Sequence, residues 1–428
     1  MTTRGSAGHV LPLAPFGHAC LRAGHEVLVA AQRQHQANVE RAGLAFSPVA
    51  DPPEHEWMPL LGQFGQLGMD AANELMVGEF FARIDTRAAL PGLVAIVEDW
   101  QPDVIVRESW EFASTLVAEM CGIPLVRVGL GLAAVEETSI RLAAQALDEQ
   151  RAAIGLPPDP AGDRLRDTRY FTMVPAPLEG PVAAAPPRTH RFAPDLPAGP
   201  TATAPLADWW PAGHDDDPLV YLTFGSVTAA RHLPYFPSVY RAAIEALAPL
   251  HARILVTIGD DRDLGELGPL PPNVHVERWV PQDVVAPHAA AIVCHGGYGS
   301  TLGALRHGVP LVVLPLFSFD QWANAAAVAR AGAGLALDAE RETRRVLGLP
   351  GSATLDELAP AVQRVLTDPS YRREAGRIGA ATHALAPVDA AVDALVAIGA
   401  RDTTPRRAAP PRDARYATNT GVCTGERA

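Results

Sequence analysis

One glycine-rich segment carries the residues best suited to bind an anion. It runs over residues 291–310 as AIVCHGGYGSTLGALRHGVP, which predicts a strand, a glycine turn and a helix that opens at Ser300 and Thr301. A helix N-terminus offers free N–H groups and a positive dipole end, and glycine lets a phosphate approach the backbone closely. The residues that we expect around this phosphate are His295, Gly297, Gly299, Ser300 and Thr301.

An alternative function for this segment is the binding of a nicotinamide dinucleotide. The fingerprint of that function is GxGxxG with an acidic residue about 20 residues further on, and Gly297, Gly299 and Asp320 fit it. The third glycine position is Leu302, however, and Asp320 lies several residues beyond the apolar run PLVVLPL instead of at its end. His295-Gly-Gly is also similar to an esterase oxyanion segment, but the chain has no GxSxG motif. The sequence therefore favours a phosphate loop over both alternatives.

Two further segments carry groups that suit a nucleotide. Trp279, Val280 and Gln282 follow the apolar alternation VHVE, and an aromatic side chain at the C-terminal end of a strand can stack on a flat base. Packing of Trp279 in the core is the competing interpretation. Ser226 lies in the turn TFGSV, where its hydroxyl and nearby amides suit a second phosphate oxygen, although a plain tight turn has the same composition. In this order along the chain the segments can line one crevice.

His9 is the residue best suited to general base catalysis. It lies in the segment SAGHVLP, which we expect at the N-terminus of a helix that faces the carboxyl edge of a sheet. The positive helix end favours neutral imidazole, the form that a general base needs, and a nearby carboxylate can share the charge of the abstracted proton. An ordinary core or surface histidine is the alternative.

The elements that position these residues alternate between strands and helices, as is typical of a parallel sheet covered by helices. In the first half we predict strands at residues 25–30, 104–106 and 125–128, and a helix near residues 111–121. In the second half the strand-like runs are LVYLTF, RILVTI, VHVE, AAIVC, PLVVLPL and GLALD. The predicted fold class is α/β, with two Rossmann-like, doubly wound domains that face each other across a cleft.

Composition shifts predict where the domains begin and end. The two domains span residues 1–195 and 219–385, joined by a Pro-, Gly- and Ala-rich linker at 196–218. A C-terminal helix is predicted over 386–400, and residues 401–428, which lack periodicity, are predicted to be a disordered tail. Only MTT precedes the first Arg-Gly, so the first strand looks clipped. Either the true start lies upstream, which we favour, or a short strand suffices.

Composition also excludes several classes of function. The 428 residues carry 35 basic and 48 acidic side chains and a net charge of −13, the wrong sign for a protein whose main partner is nucleic acid. The chain has no lysine, which excludes Schiff-base, pyridoxal phosphate and lysine-dependent P-loop chemistry. The four cysteines form no CxxC pair, so we expect buried free thiols. No apolar run approaches the roughly 18 residues of a membrane span, and we expect a cytoplasmic protein.

Four of these segments together resemble the family 1 glycosyltransferases of the GT-B fold, in particular actinobacterial enzymes that attach sugars to macrolides, polyketides, enediynes and similar natural products. GHVLP at residues 8–12 is similar to the motif of the catalytic histidine, and WVPQ at residues 279–282 is similar to the base-stacking segment. HGGYGST at residues 295–301 is similar to the diphosphate loop, and Asp320-Gln321 is similar to the pair that binds donor-sugar hydroxyls.

The resemblance implies an inverting glycosyltransferase that needs no metal and no cofactor besides its nucleotide-sugar co-substrate. His9 would take the proton of an acceptor hydroxyl, and Glu108 in PDVIVRESWEFA would orient His9, although many members carry aspartate there. The helix end, His295 and Ser226 would meet the charge that develops on the diphosphate. Gly303 stands where plant members place a glutamate on the nucleotide ribose, which favours a dTDP-sugar over a UDP-sugar.

The acceptor pocket is expected in the first domain. Residues 57–81 mix aromatic residues, methionines and glycines in a way that suits an irregular apolar ligand, with core packing as an equally good explanation. The residues that we expect to contact a small, largely apolar acceptor are Trp57, Phe64, Met69, Met76, Phe80 and Trp110. The predicted partners are this acceptor and the sugar donor, and the chain is predicted to be a monomer or homodimer.

Two rival interpretations concern the activity itself. One is a catalytically inactive nucleotide-sugar-binding or auxiliary protein, for which the clipped first strand and Glu108 argue mildly. The other concerns a metal, because Asp215-Asp216-Asp217 contains a DxD string like the metal motif of the other large glycosyltransferase fold. It precedes a strand in the linker, so we interpret it as a solvated acidic segment.

Overall fold

Two parallel sheets, each covered by helices, make up the structure, as predicted. The computed structural model describes residues 1–180, 186, 188–194, 216–230, 233–259, 262–337 and 344–401. The strands of the first sheet are β1 (Leu28–Gln32), β2 (Ala45–Val49), β3 (Ile105–Glu108), β4 (Leu125–Val128), β5 (Arg169–Thr172) and β6 (Thr189–Ala193). Those of the second are β7 (Leu219–Thr223), β8 (Arg253–Thr257), β9 (Val274–Glu277), β10 (Ala289–Cys294), β11 (Leu311–Val313) and β12 (Gly334–Ala336).

The first sheet has a short strand where the sequence predicts a clipped one. Strand β1 pairs with β2, and β3 to β6 pair in chain order, all in parallel. Thr2 bridges Ala30 of β1 and Arg107 of β3, so it joins the two groups of strands. The amino group of Met1 donates a hydrogen bond to the carbonyl of Leu28 at 2.6 Å. This bridge therefore places the chain that leads to His9 between β1 and β3.

The second sheet has the strand order of a doubly wound dinucleotide-type domain. Its order is β12-β11-β10-β7-β8-β9, with every pair parallel. Strands β7 and β10 lie at the switch point, where the order reverses and where open α/β sheets bind their ligands. Helices cover both faces of such a sheet, which explains why these strands are continuous apolar runs.

Helices cover both sheets and alternate with the strands along the chain. Those of the first unit are α1 (Ala7–Val10), α2 (Ala14–Arg22), α3 (Gln36–Arg41), α4 (Glu54–Phe64), α5 (Met69–Asn73), a π-helix (Glu74–Asp85), α6 (Thr86–Trp100), α7 (Ala113–Cys121), α8 (Ala133–Ala153), α9 (Asp163–Asp167) and α10 (Ala176–Glu179). Those of the second are α11 (Gly225–Thr228), α12 (Ser238–Leu247), α13 (Gln282–Val285), α14 (Tyr298–Arg306), α15 (Phe319–Arg330), α16 (Ser352–Asp356), α17 (Leu358–Thr367) and α18 (Pro369–His383).

The first predicted helix is two helices, and the break has a local cause. Helix α1 ends at Val10, and α2 begins at Ala14 with Pro15 in its first turn. Pro12, between them, has no N–H group, so it cannot donate the hydrogen bond that would continue the first helix. His9 therefore lies in a single short turn at the sheet edge instead of at the start of a long helix.

The chain returns to the first unit at its C-terminal end. Strand β13 (Ala386–Pro387) pairs with β6, and α19 (Ala390–Arg401) follows it. Residues Val388, Leu395 and Ile398 pack with Phe16 and Cys20 of α2 in one apolar cluster. The sequence predicted this helix but not where it packs. Most of the predicted linker and the predicted tail beyond residue 401 lie outside the described residues.

Two smaller predictions concern the whole chain. Cys20, Cys121 and Cys294 are buried and form no disulfide with one another, as predicted, and Cys423 lies outside the described residues. Among the helices of the described segments, none combines the length and the apolar character needed to cross a membrane.

Candidate active site

A histidine and a carboxylate form a dyad at the C-terminal edge of the first sheet. Nδ1 of His9 lies 2.9 Å from Oε1 of Glu108, the last residue of β3. The backbone N–H of Trp110 donates to Oε2 of Glu108 at 2.6 Å, and the backbone N–H of Arg4 donates to Oε1 at 3.2 Å. The side chain of Glu108 is fully buried, whereas that of His9 is 14% exposed. In the dyad the carboxylate of Glu108 is thus inaccessible to solvent, and the ring of His9 is partly accessible.

The contacts of Glu108 keep it ionised. Burial alone would raise the pKa of this carboxyl, but the charge of His9 and the hydrogen bonds from His9, Trp110 and Arg4 together lower the pKa below its ordinary value. An ionised carboxylate only accepts hydrogen bonds, so Nδ1 of neutral His9 carries the proton and Nε2 keeps its lone pair. His9 therefore presents a proton acceptor to the cleft, as a general base requires.

Trp110 connects the dyad to an aromatic wall. Its ring meets that of His9 edge to face at 5.6 Å between centroids and stacks on Phe81 at 5.7 Å. Phe80 contacts Phe81 at 5.5 Å and Trp57 at 5.8 Å, which extends the wall along the π-helix and α4. The indole N–H of Trp110 donates to Oγ of Ser139 at 3.0 Å, which fixes the plane of the ring. Trp57, Phe80 and Trp110 thus lie in one row of neighbouring aromatic rings.

The remaining predicted acceptor residues are placed differently. Met69 is buried in the core and cannot contact a ligand without rearrangement, whereas Phe64 and Met76 are partly buried and pack against that core. Phe81 lies within the predicted segment 57–81, but its pattern does not distinguish it from its neighbour Phe80. Phe319 was not predicted; it belongs to the second unit and stacks on Trp110 at 5.9 Å. No local sequence pattern predicts a contact between Trp110 and Phe319, because the two residues are far apart in sequence.

The glycine-rich loop after β10 is assembled around His295. A Cβ atom at Gly225 would lie 2.7 Å from the ring of His295, and one at Gly297 would lie 2.5 Å from it. Only glycine fits at these two positions, and Gly225 also has a positive φ of +76°. Burial lowers the pKa of His295 to about 4. Without a ligand the ring of His295 is therefore neutral near pH 7, and a neutral imidazole has one N–H group that can donate a hydrogen bond.

Helix α14 begins two residues earlier than predicted. It starts at Tyr298 with Gly297 as its N-cap, so the backbone N–H groups of residues 298–300 have no partner within the helix. Gly299 is exposed and Ser300 is partly exposed there. Thr301 was predicted to bind the phosphate, but its side chain is 1% exposed and its backbone N–H donates to the carbonyl of Gly297. Thr301 is thus buried near the start of α14 in the absence of a ligand.

A hydrogen bond joins the predicted base-stacking segment at residues 279–282 to the predicted phosphate loop at residues 295–301. Nε2 of Gln282 donates to the carbonyl of Ser300 at 2.9 Å. Trp279 is 63% exposed in the loop after β9, which overturns the alternative that it packs in the core. Val280 is partly buried and packs against the core beside it. Ser226 is exposed at the start of α11, next to Gly225 and His295. The predicted donor-binding segments therefore converge on one sheet edge.

The start of α15 supports the phosphate loop from the other side. Oε1 of Gln321 accepts the backbone N–H groups of Leu316 and Phe317 at 2.8 and 3.1 Å, so part of this side chain holds its own loop. Asn324, which the sequence analysis missed, donates to the carbonyl of Gly296 at 2.7 Å. Asp320 accepts a hydrogen bond from Ser318, and burial raises the pKa of Asp320.

The two sheet edges face each other. The charge of His9 opposes the rise in the pKa of Asp320, which places the dyad and the predicted sugar-binding carboxylate within electrostatic reach of each other. Phe319, adjacent to Asp320, stacks on Trp110. Further contacts join the units, such as the hydrogen bond from Arg330 to the carbonyl of Leu178 at 3.0 Å. The dyad and Asp320 therefore lie on facing edges of the two units.

Comparison with solved structures assigns the class of protein. The glycosyltransferase SnogD from Streptomyces nogalater has a TM-score of 0.68 and 26% identity to this chain, over 93% of this chain and 98% of SnogD. The glycosyltransferase VinC, solved in complex with dTDP, has a TM-score of 0.66 and 26% identity, over 94% of this chain and 99% of VinC. The fold and the site thus define a glycosyltransferase of the GT-B fold.

Comparison of sequences assigns the family. Residues 18–179 and 241–397 match the N-terminal and C-terminal domains described as erythromycin biosynthesis protein CIII-like. The L-demethylnoviosyl transferase of Streptomyces niveus is 32% identical, over 87% of this chain and 94% of its own length. The 4'-demethylrebeccamycin synthase of Lentzea aerocolonigenes is 30% identical, over 92% and 96% respectively. The chain belongs to this EryCIII-like family and is a glycosyltransferase.

Proposed function

We propose that this glycosyltransferase moves a sugar from a dTDP-sugar to a hydroxyl of a small, largely apolar acceptor, with inversion at the anomeric carbon. The observation that carries the proposal is the dyad: Nδ1 of His9 lies 2.9 Å from buried, ionised Glu108, so Nε2 is left as a base. The dyad lies on the first unit and the anion loop on the second. A base on the face of the sugar opposite the leaving group favours direct displacement and inversion.

The steps follow from the placement of these residues. His9 takes the proton of the acceptor hydroxyl, and the oxygen attacks the anomeric carbon while its bond to the diphosphate breaks. Glu108 stabilises the imidazolium that forms, as the carboxylate of a catalytic triad does. The N–H groups at the start of α14, the neutral ring of His295 and the hydroxyl of Ser226 donate to the departing diphosphate.

The preference for dTDP is supported by the surroundings of Gly303. A Cβ atom there would lie 3.0 Å from the amide of Gln282, which itself donates to Ser300. Gln282 thus fills the space that a longer side chain at position 303 would need, and no carboxylate from that position reaches a ribose 2′-hydroxyl. A deoxyribose, which lacks this hydroxyl, leaves nothing unpaired. The dTDP found in the VinC structure agrees with this choice.

The chemistry of the acceptor is supported by the aromatic wall beside the dyad. The rings of Trp57, Phe80, Phe81 and Trp110 form a row of neighbouring aromatic side chains that ends at His9, with the guanidinium of Arg4 over Phe81. Partly exposed rings in such a row suit a largely apolar small molecule with one hydroxyl directed at the base. The rival hypothesis of an inactive or auxiliary protein finds less support, because the dyad is intact and the relatives are named as transferases.

The proposal is tested by product analysis. The enzyme should convert a hydroxylated aromatic acceptor with an α-configured dTDP-sugar, and the proton coupling at the anomeric carbon of the product should be that of the β-glycoside. The corresponding UDP-sugar should give a lower kcat/KM. An α-glycoside as product would contradict inversion, and an equal or higher kcat/KM with the UDP-sugar would contradict the donor assignment.

We expect turnover to be independent of divalent metal ions. The charge on the diphosphate is met by the helix end, Ser226 and His295, so a cation is not needed. Activity should persist in excess EDTA and should not rise when Mg²⁺ or Mn²⁺ is added. Loss of turnover in EDTA, with recovery on adding Mn²⁺, would refute this expectation.

We expect Trp279→Ala to weaken donor binding by about 1–3 kcal/mol, the usual contribution of one base–aromatic stack. Because the ring is 63% exposed, its removal should leave the free energy of unfolding almost unchanged. Calorimetric titration with dTDP measures the first quantity and urea unfolding the second. Trp279→Phe, which keeps an aromatic face, is the matched control and should retain most of the affinity. An unchanged affinity for dTDP in Trp279→Ala would exclude stacking.

A further inference from the structure

The loop at residues 108–111 carries two parts of the site at once. Glu108 supplies the carboxylate of the dyad, and Trp110 supplies both a backbone donor to that carboxylate and the ring beside His9. The loop connects β3 to α7. A small movement of this loop would therefore change the direction in which Glu108 accepts the proton of His9 and would shift the acceptor wall.

One buried guanidinium holds this loop by its backbone. Nη1 of Arg107 donates to the carbonyl oxygens of Glu108, Ser109 and Glu111 at 3.0, 2.9 and 2.7 Å. The side chain of Arg107 is fully buried, and its guanidinium lies 5.5 Å from the centroid of the Phe112 ring. Three contacts within four residues of one loop fix its path more strongly than a single side-chain cap does.

This guanidinium is expensive to bury. Burial lowers the pKa of Arg107 to about 10, so the group stays charged at neutral pH. Within the described part of the chain, Nε and Nη2 have no hydrogen-bond partner, although both are buried. A buried cation with unpaired donors costs free energy that an apolar residue would not. The nearby carboxylates of Glu108 and Glu111 stabilise the charge of Arg107 and offset part of this cost.

We infer that Arg107 is a positioning residue, which holds the 108–111 loop so that ionised Glu108 fixes His9 as the Nδ1–H tautomer with Nε2 directed at the acceptor. Arg107 does not touch the reacting atoms. It acts through the carbonyls of the loop and through its charge beside Glu108. The inference rests on the proposed function for its meaning, but the state of the His9 ring can be measured whether or not His9 is the base.

Arg127 is a matched comparison for Arg107. The two residues lie directly opposite each other in the register of β3 and β4, and Arg127 is 1% exposed. Its Nη1 lies 3.7 Å from Glu136, and its guanidinium lies over the ring of Tyr170. Arg127 makes no hydrogen bond to residues 108–111, all of which are described. Arg127 reaches this loop only indirectly, because Glu136 accepts a hydrogen bond from Oγ of Ser109 at 2.5 Å. Its loss should therefore cost stability and move the dyad much less than the loss of Arg107.

The test is nitrogen NMR of the histidine rings in the full-length protein. In ¹⁵N-histidine-labelled protein, ring correlations distinguish the Nδ1–H from the Nε2–H tautomer, and the signals of His9 are those missing in His9→Gln. At a pH where the ring is neutral, the wild type should hold His9 almost entirely as Nδ1–H. Arg107→Met should reduce that population by about two-fold or more, whereas Arg127→Met should change it much less. Both variants should unfold at lower urea concentration than the wild type, because each leaves buried carboxylates without the cation that stabilises them.

The outcomes separate a positioning role from a structural one. An unchanged His9 tautomer in Arg107→Met would overturn the inference, and so would equal shifts in the two variants. If Arg107→Met does not fold, the lysine pair answers the same question. Lysine keeps the charge but lacks the guanidinium fork, so Arg107→Lys should still shift the His9 signals and Arg127→Lys should shift them much less. Equal spectra for the two lysine variants would overturn the inference.

Discussion

Replacement of His9 with alanine should lower kcat for an alcohol acceptor by roughly 10²–10⁴-fold, the usual contribution of a positioned general base. The affinity for the donor should change little, because the phosphate loop, Trp279 and Asp320 belong to the other unit. Steady-state kinetics with saturating donor gives kcat, and calorimetric titration with dTDP gives the donor affinity. The expected pattern is thus a loss in the chemical step with binding retained.

His35 is the matched control for this substitution. It is partly buried at the same sheet edge, and its pKa is lowered by burial and by the charges of Arg4 and His9, so it lies close to the dyad. His35→Ala should keep kcat within a few-fold of the wild type. If His9→Ala keeps kcat within that range and weakens donor binding instead, His9 is a donor contact and another group is the base.

Glu108→Gln should also slow the reaction strongly, because an amide cannot replace this carboxylate. Glu108 accepts from His9 and Arg4 on one oxygen and from Trp110 on the other. A glutamine has one accepting oxygen, so its NH₂ group must face either Trp110 or His9. Facing His9, it forces the proton onto Nε2 and removes the base, a tautomer error that costs a catalytic triad about 10⁴-fold. We expect a loss of roughly 10²–10⁴-fold in kcat.

The pH dependence of kcat should also reveal the interaction between Glu108 and His9. Ionised Glu108 stabilises protonated His9, so loss of its charge should move the acid limb of the log kcat profile to lower pH. Glu108→Asp keeps the charge on a shorter side chain and is the control. Its acid limb should stay close to that of the wild type, with a smaller loss in kcat. An acid limb at the same pH in Glu108→Gln and the wild type would mean that Glu108 does not act on the catalytic base.

The structural elements that the sequence predicted well are those that depend on patterns among neighbouring residues. Strands β4 and β9 match the predicted residues, because alternation and apolar runs are properties of neighbouring residues. The donor segments at 279–282 and 295–300 converge, as expected from strands whose C-terminal ends share one edge. The dyad of His9 and Glu108 was also predicted, although only the resemblance to a known family linked two residues so far apart in sequence.

The parts that the sequence did not predict depend on contacts between distant residues. The burial of Thr301 follows from the start of α14 at Tyr298, and element boundaries are set by packing as much as by composition. The stack of Trp110 on Phe319 and the packing of α19 on α2 join segments from opposite ends of the chain. Arg107 carried no signal, because an arginine within a strand pattern is ordinarily an exposed residue.

The most direct test of the account compares the His9→Ala deficit for two acceptors of different acidity. With saturating dTDP-sugar, kcat is measured for the wild type and for His9→Ala with phenol and with 4-nitrophenol. If His9 removes the acceptor proton, the deficit should be large for phenol and should shrink to a few-fold for 4-nitrophenol, whose hydroxyl is already substantially ionised near neutral pH. A deficit of the same size for both acceptors would show that His9 does not take the proton, and would contradict the mechanism.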